Sequence, residues 1–98
     1  MPPRRLLKLK HERTDLGFLG ASLSEDGGRD ASWMLRVESP SSFEAFHDHL
    51  ADGSSMALSM VTRDGEQLRG EAYVSSISDG VETATVVVLT GAGPLRRA

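Results

Sequence analysis

The stretch from Met56 to Leu89 constrains the fold of this chain more than any other, because three runs of alternating apolar residues are punctuated by Asp64-Gly65 and Asp79-Gly80. In Met56-Ala-Leu-Ser-Met-Val61, the side chains of Met56, Leu58 and Met60 share one face, and a period of two marks a half-buried strand. An Asp-Gly pair supplies the positive φ that a two-residue type I′ turn needs, so each pair predicts a tight hairpin. Gln67–Ile77 then forms the middle strand and Val81–Leu89 the last, giving an antiparallel meander. The end of that last strand, Val86, Val87, Val88 and Leu89, is apolar at successive positions and so on both faces. Either both faces are buried there or one of them meets a partner, which makes these four residues the candidate interface.

The first half reads as three further strands and a helix. Leu7 and Leu9 alternate with Lys8 and Lys10, Thr14–Gly17 reads as a turn, and Phe18–Ser24 is a strand weakened by Gly20. Glu25–Arg29, with its two glycines, is a loop. In Ala31–Glu38, Trp33, Leu35 and Val37 share the core face, and Ser39-Pro40 stops the strand because proline has no N–H to give a ladder. The period then changes. Ser41 and Glu44 fit a capping box, Phe43, Phe46 and Leu50 form a helical stripe, and Gly53 supplies the residue after the helix end. A helix of about ten residues is too short to stand alone and must lean on a sheet. The expected architecture is mainly β (α+β), in the order βββαβββ. It is an antiparallel β-sandwich or half-barrel of about six strands with one short helix, forming a single domain over residues 1–98.

Little in the composition points to catalysis. There is no cysteine, so disulfides, thiolate metal sites and a cysteine nucleophile are excluded. His47 and His49 stand two apart on the expected helix, where side chains point nearly opposite ways, whereas a chelating pair needs i, i+4. Ser41 and Ser42 are explained by capping. Glu25-Asp26 sits in a glycine loop that opens no helix, a poor phosphate cradle and not a calcium loop. No metal, cofactor or enzymatic activity is expected. No apolar run reaches the roughly 18 residues that span a bilayer, and the basic start has no continuous apolar segment, so neither a membrane span nor a signal peptide is expected.

Charge is unevenly distributed. Arg4, Arg5, Lys8, Lys10 and Arg13 lie near the start and Arg96 and Arg97 at the end, while Thr14–Leu95 carries four basic residues against thirteen acidic ones. An acidic body argues against specific nucleic-acid binding, and Trp33 and Tyr73 are too few for a stacking platform. Charged ends of this kind are more often solvated tails, although an acidic body with basic ends would also suit head-to-tail contact between copies.

The final hairpin carries a more specific likeness. Gly70-Glu-Ala-Tyr-Val-Ser-Ser-Ile77, a turn, Glu82-Thr-Ala-Thr-Val86, and the closing Leu89-Thr-Gly-Ala-Gly-Pro-Leu95 resemble the C-terminal region of siphophage major tail (tail tube) proteins. Phe43–Gly53 is similar to that family's short helix, so the likeness runs from Phe43 to Leu95. It implies a non-enzymatic structural protein whose copies join through sheet edges into rings. It also implies other tail-like proteins as partners, and a place in the cytoplasm of the producing bacterium and in the virion. The other function class open to this sequence is a stand-alone β-rich protein-binding module, ahead of an OB-like nucleic-acid binder.

Overall fold

A computed structural model describes residues 3–25, 33–41, 44–78 and 85–97. The Asp79-Gly80 turn, Phe43 of the helical stripe, and the first part of the expected last strand lie outside the described residues. Eight strands and a helix follow in the order β1 Arg4–His11, β2 Thr14–Asp15, β3 Gly20–Glu25, β4 Trp33–Glu38, α1 Glu44–Asp52, β5 Met56–Thr62, β6 Gln67–Ser78, β7 Val86–Gly91 and β8 Arg96–Arg97. The six long strands keep the expected βββαβββ order.

They form a closed antiparallel barrel. The strands lie in the order β1-β3-β4-β7-β6-β5, and β5 returns to pair with β1, Leu9 opposite Met60 and His11 opposite Leu58. The two short strands attach outside this circuit, β2 on β1 and β8 on β6. Closure changes the expected route of assembly. In a barrel the long strands spend their N–H and C=O groups on neighbours around the circuit, so a free sheet edge of the kind that extends into another copy is lost. Contact between copies has to use the outer faces instead.

Alternation in β4 and β5 places the core. Trp33, Leu35 and Val37 from β4 and Met56, Leu58 and Met60 from β5 are buried, with Leu23, Ala72, Val74, Val87 and Leu89 facing them. Two bulges break the simple period elsewhere. Between Leu6 and Lys8 the register of β1 on β5 shifts, so Leu6 and Leu9 are buried and Leu7 is exposed. The expectation that Leu7 and Leu9 share a face therefore fails, since one extra residue in a strand flips the phase that follows it. The stretch expected to be a plain turn contains β2, and Leu16 is buried, with its N–H donating to the Leu9 carbonyl at 2.8 Å.

The helix carries Phe46 into the core. The barrel wall is a hydrogen-bonded sheet, so a helix side chain reaches the interior only through an end of the barrel. Phe46 is fully buried while Leu50 is exposed, so the apolar stripe is narrower than expected. Gly53 has φ +69° and donates its N–H to the His49 carbonyl at 2.9 Å, the single-bond left-handed helix end. Ser41 spends both its N–H (2.9 Å) and its hydroxyl (3.3 Å) on the Gly17 carbonyl, which ties the helix approach to the segment before β3. Glu44 is exposed at the first turn, where a carboxylate suits the positive end of the helix dipole.

The β5–β6 hairpin forms where expected but with a different turn. Asp64 is not in the positive-φ region, whereas Gly65 has φ +92°. The Gly65 N–H donates to the Thr62 carbonyl at 2.9 Å, and the Thr62 N–H to the Glu66 carbonyl at 2.9 Å. Arg63-Asp64-Gly65 is therefore a three-residue loop, a type I turn closed by a left-handed glycine, instead of a two-residue type I′ turn. Thr62 decides between them. It is fully buried, its hydroxyl donates to the Asp64 carboxylate, and it accepts the Glu66 N–H at 3.0 Å. The Thr62 bond, chiefly, holds the Asp64 carboxyl below its ordinary range, with Arg4 adding to it. Gly65→Val forces a β-branched residue into the left-handed region and should destabilise the fold by about 1–3 kcal/mol. Urea denaturation checks this, and an unchanged midpoint would rule out the strained turn.

The tail after β7 is ordered by Trp33. The indole Nε1 donates to the Gly93 carbonyl at 2.7 Å. A Cβ on Gly91 would lie 2.3 Å from that nitrogen, and one on Gly70 would lie 2.8 Å from the ring. Only glycine lets two backbones approach the indole this closely. Ala92 and its neighbours arch over the ring, Leu95 packs against the core, and Arg96 and Arg97 rejoin β6 opposite Arg69 and Leu68. Thr90–Leu95 is thus an arch anchored on Trp33 that leads back into a strand.

Candidate assembly interface

The four apolar residues at the end of the chain's last long strand divide between inside and outside. Val87 and Leu89 are fully buried in the barrel, whereas Val86 and Val88 point outward and stay half-buried. Their outer neighbours follow from the register. Val88 lies between Arg36 of β4 and Ser76 of β6, and Val86 between Glu38 and Ser78. One row further along, Thr90 lies between Met34 and Tyr73. Met34 is 49 % exposed and Tyr73 48 % exposed, large values for residues of this size in the middle of a sheet.

These rows make a strip across β4, β7 and β6 built from Met, Tyr, Val, Ser and Thr. Its charges, Arg36 and Glu38, neutralise each other at 3.7 Å. At the Glu38 end Leu19 donates its N–H to the Glu38 carbonyl at 3.0 Å and leaves its side chain 82 % exposed. The strip combines outward apolar side chains with small hydroxyl residues and carries no net charge, so another surface can cover it without stranding an unpaired charge.

Tyr73 was the member least visible in the sequence. Its alternation with Ser76 and Ser78 is out of phase until the bulge between Val74 and Ser76 is known. The bulge places both Ser75 and Ser76 outside and so aligns Tyr73 with Ser76 on one face. The signal available was the Ser75-Ser76 pair itself, two small polar residues interrupting an alternating strand.

The remaining candidates are dispersed. Ser41 and Glu44 lie before and at the start of α1, Gly53 at its end, and Asp64 and Gly65 in the β5–β6 loop; they serve local structure and converge on no site. His49 is half-buried: its Nδ1 is 2.8 Å from the Ser54 hydroxyl, and its ring meets His11 edge to face, centroids 5.0 Å apart. His47 is not part of this contact. Among the described residues no group of three or more His, Cys, Asp or Glu side chains is placed to hold a metal ion. Nor is any of their helices long and apolar enough to cross a membrane.

No family model, no curated protein and no solved structure matches this chain.

Proposed function

We propose that this protein is a non-enzymatic structural subunit of the phage-tail type, which assembles with its own copies through the outer strip on β4, β7 and β6. The observation that carries this reading is the outward pair Val86 and Val88, with the exposed Met34 and Tyr73 beside Thr90 in the row next to Val88, on a barrel whose interior is already filled by its own core. Apolar area left on a folded surface favours burial against another surface, at about 25 cal/mol per Å² removed from water. The likeness of Gly70–Leu95 to the tail tube proteins points to the same role. The other partners on this reading are further tail-like proteins.

Electron microscopy and sedimentation of the purified chain test the proposal. Rings or filaments are expected, and Val88→Glu, which buries a carboxylate in the contact, should abolish them while leaving the circular dichroism spectrum unchanged. A chain that stays monomeric at high concentration would dismiss the reading.

A further inference from the structure

One outer face of the barrel carries a row of like charges, of which two make no ion pair among the described residues. Lys10 on β1 lies opposite Ser59 on β5, Ser59 opposite Arg69 on β6, and Arg69 opposite Arg96 on β8. All three cations are exposed. Lys10 has Asp15 at 3.9 Å, but among the described residues neither Arg69 nor Arg96 makes an ion pair. Two arginines directly across an antiparallel pair repel, so the register of β8 on β6 carries a cost. They open onto a groove of about 770 Å³, floored by small residues such as Ala57, Ser59 and Gly70. Arg13 adds a further cation to its wall, and Glu12 and Glu71 are its carboxylates.

The opposite charge lies on α1. Glu44, Asp48 and Asp52 are spaced i, i+4, i+8 on the exposed side of the helix, and among the described residues none of them is ion-paired. Carboxylates four apart repel, and Asp52 also meets the negative end of the helix dipole. The two rows match in length. Eight helical residues rise about 12 Å, and three inter-strand steps from Lys10 to Arg96 span about 14 Å. Among the described residues no ion pair joins the two rows within one chain.

We infer that the α1 acidic stripe of one copy docks on the Lys10–Arg69–Arg96 row of the next. The inference rests on the assembly reading and adds direction to it. The outer strip can pair with itself, whereas two unlike charged rows on separate elements allow a head-to-tail contact, the arrangement that closes rings or extends filaments. Charge complementarity of this kind fixes register and partner orientation.

A charge swap tests it on the full-length chain by sedimentation at low and at raised salt. One variant carries Arg69→Glu and Arg96→Glu, the other Asp48→Arg and Asp52→Arg; circular dichroism establishes that both fold. The wild type should lose mass as salt shortens the range of the attraction. Each variant alone should lose half or more of the wild-type weight-average mass at low salt, and an equimolar mixture should recover it, since acidic helix then meets basic row and basic helix meets acidic row. A wild type that assembles, with variants that assemble equally well, would overturn the docking and leave the strip as the contact. Variants that dissociate but do not recover on mixing would overturn it as well. A wild type that is monomeric under every condition would overturn both.

Discussion

Trp33→Ala should destabilise the protein by about 3–5 kcal/mol, the cost of deleting a large aromatic from a packed core. The site cannot collapse to refill the space. The indole is covered on two sides by Gly70 and Gly91, which have no side chains to swing inward, and its Nε1–H is the partner of the Gly93 carbonyl. The loss should also reach the arch and β8, so amides at Arg96 and Arg97 should exchange faster with solvent in the variant. Gly91→Ala approaches the same contact from the other side. It should be destabilising in the wild type by about 1–3 kcal/mol and far less so in the Trp33→Ala background, because the atoms it strikes are gone. Chemical denaturation of the two single variants and the double variant measures this coupling. Additive effects would mean that Gly91 is required for some reason other than the indole.

Phe46→Ala should cost a similar amount, about 3–5 kcal/mol, but its consequence is local to the helix. Phe46 is the fully buried side chain of α1; Ala45 is only partly buried and Leu50 is exposed. A nine-residue helix has little intrinsic stability, so its attachment depends on that one ring. Loss of helical ellipticity before the main unfolding transition is the expected signature. A variant with the wild-type midpoint would show that the helix is held by the His11–His49 contact and the Gly17–Ser41 tether instead.

Much of this architecture was legible in the sequence because it rests on period-two patterning. The alternation Trp33, Leu35, Val37 and Met56, Leu58, Met60 identified the core faces of β4 and β5, and Gly53 marked the helix end. What escaped were features that depend on pairings between distant segments. Closure through β1 and β5 leaves no local trace, so the fold read as a sheet with edges. The bulges at Leu7 and Ser75 shift the phase by one residue, which period counting treats as noise. The Thr62 hydroxyl chose the three-residue loop over the shorter one that Asp64-Gly65 suggested. For the interface, the Val86–Leu89 run indicated a place but not its inner and outer members. Met34 and Tyr73 join Val88 only once three strands are in register. The Lys10–Arg69–Arg96 row escaped altogether, since its members come from the two ends and the middle of the chain.

Closure of the barrel also bears on how the protein forms. The first strand finds its main partner in β5, half a chain away, and only its start pairs with β3. During synthesis β1 must therefore wait, with Leu6 and Leu9 uncovered, until Thr62 has emerged. Topologies dominated by such distant pairings fold slowly, because chain entropy is lost before the contacts that repay it are made. The lysines at positions 8 and 10 keep that waiting strand charged, and so discourage it from pairing with the wrong neighbour in the interval.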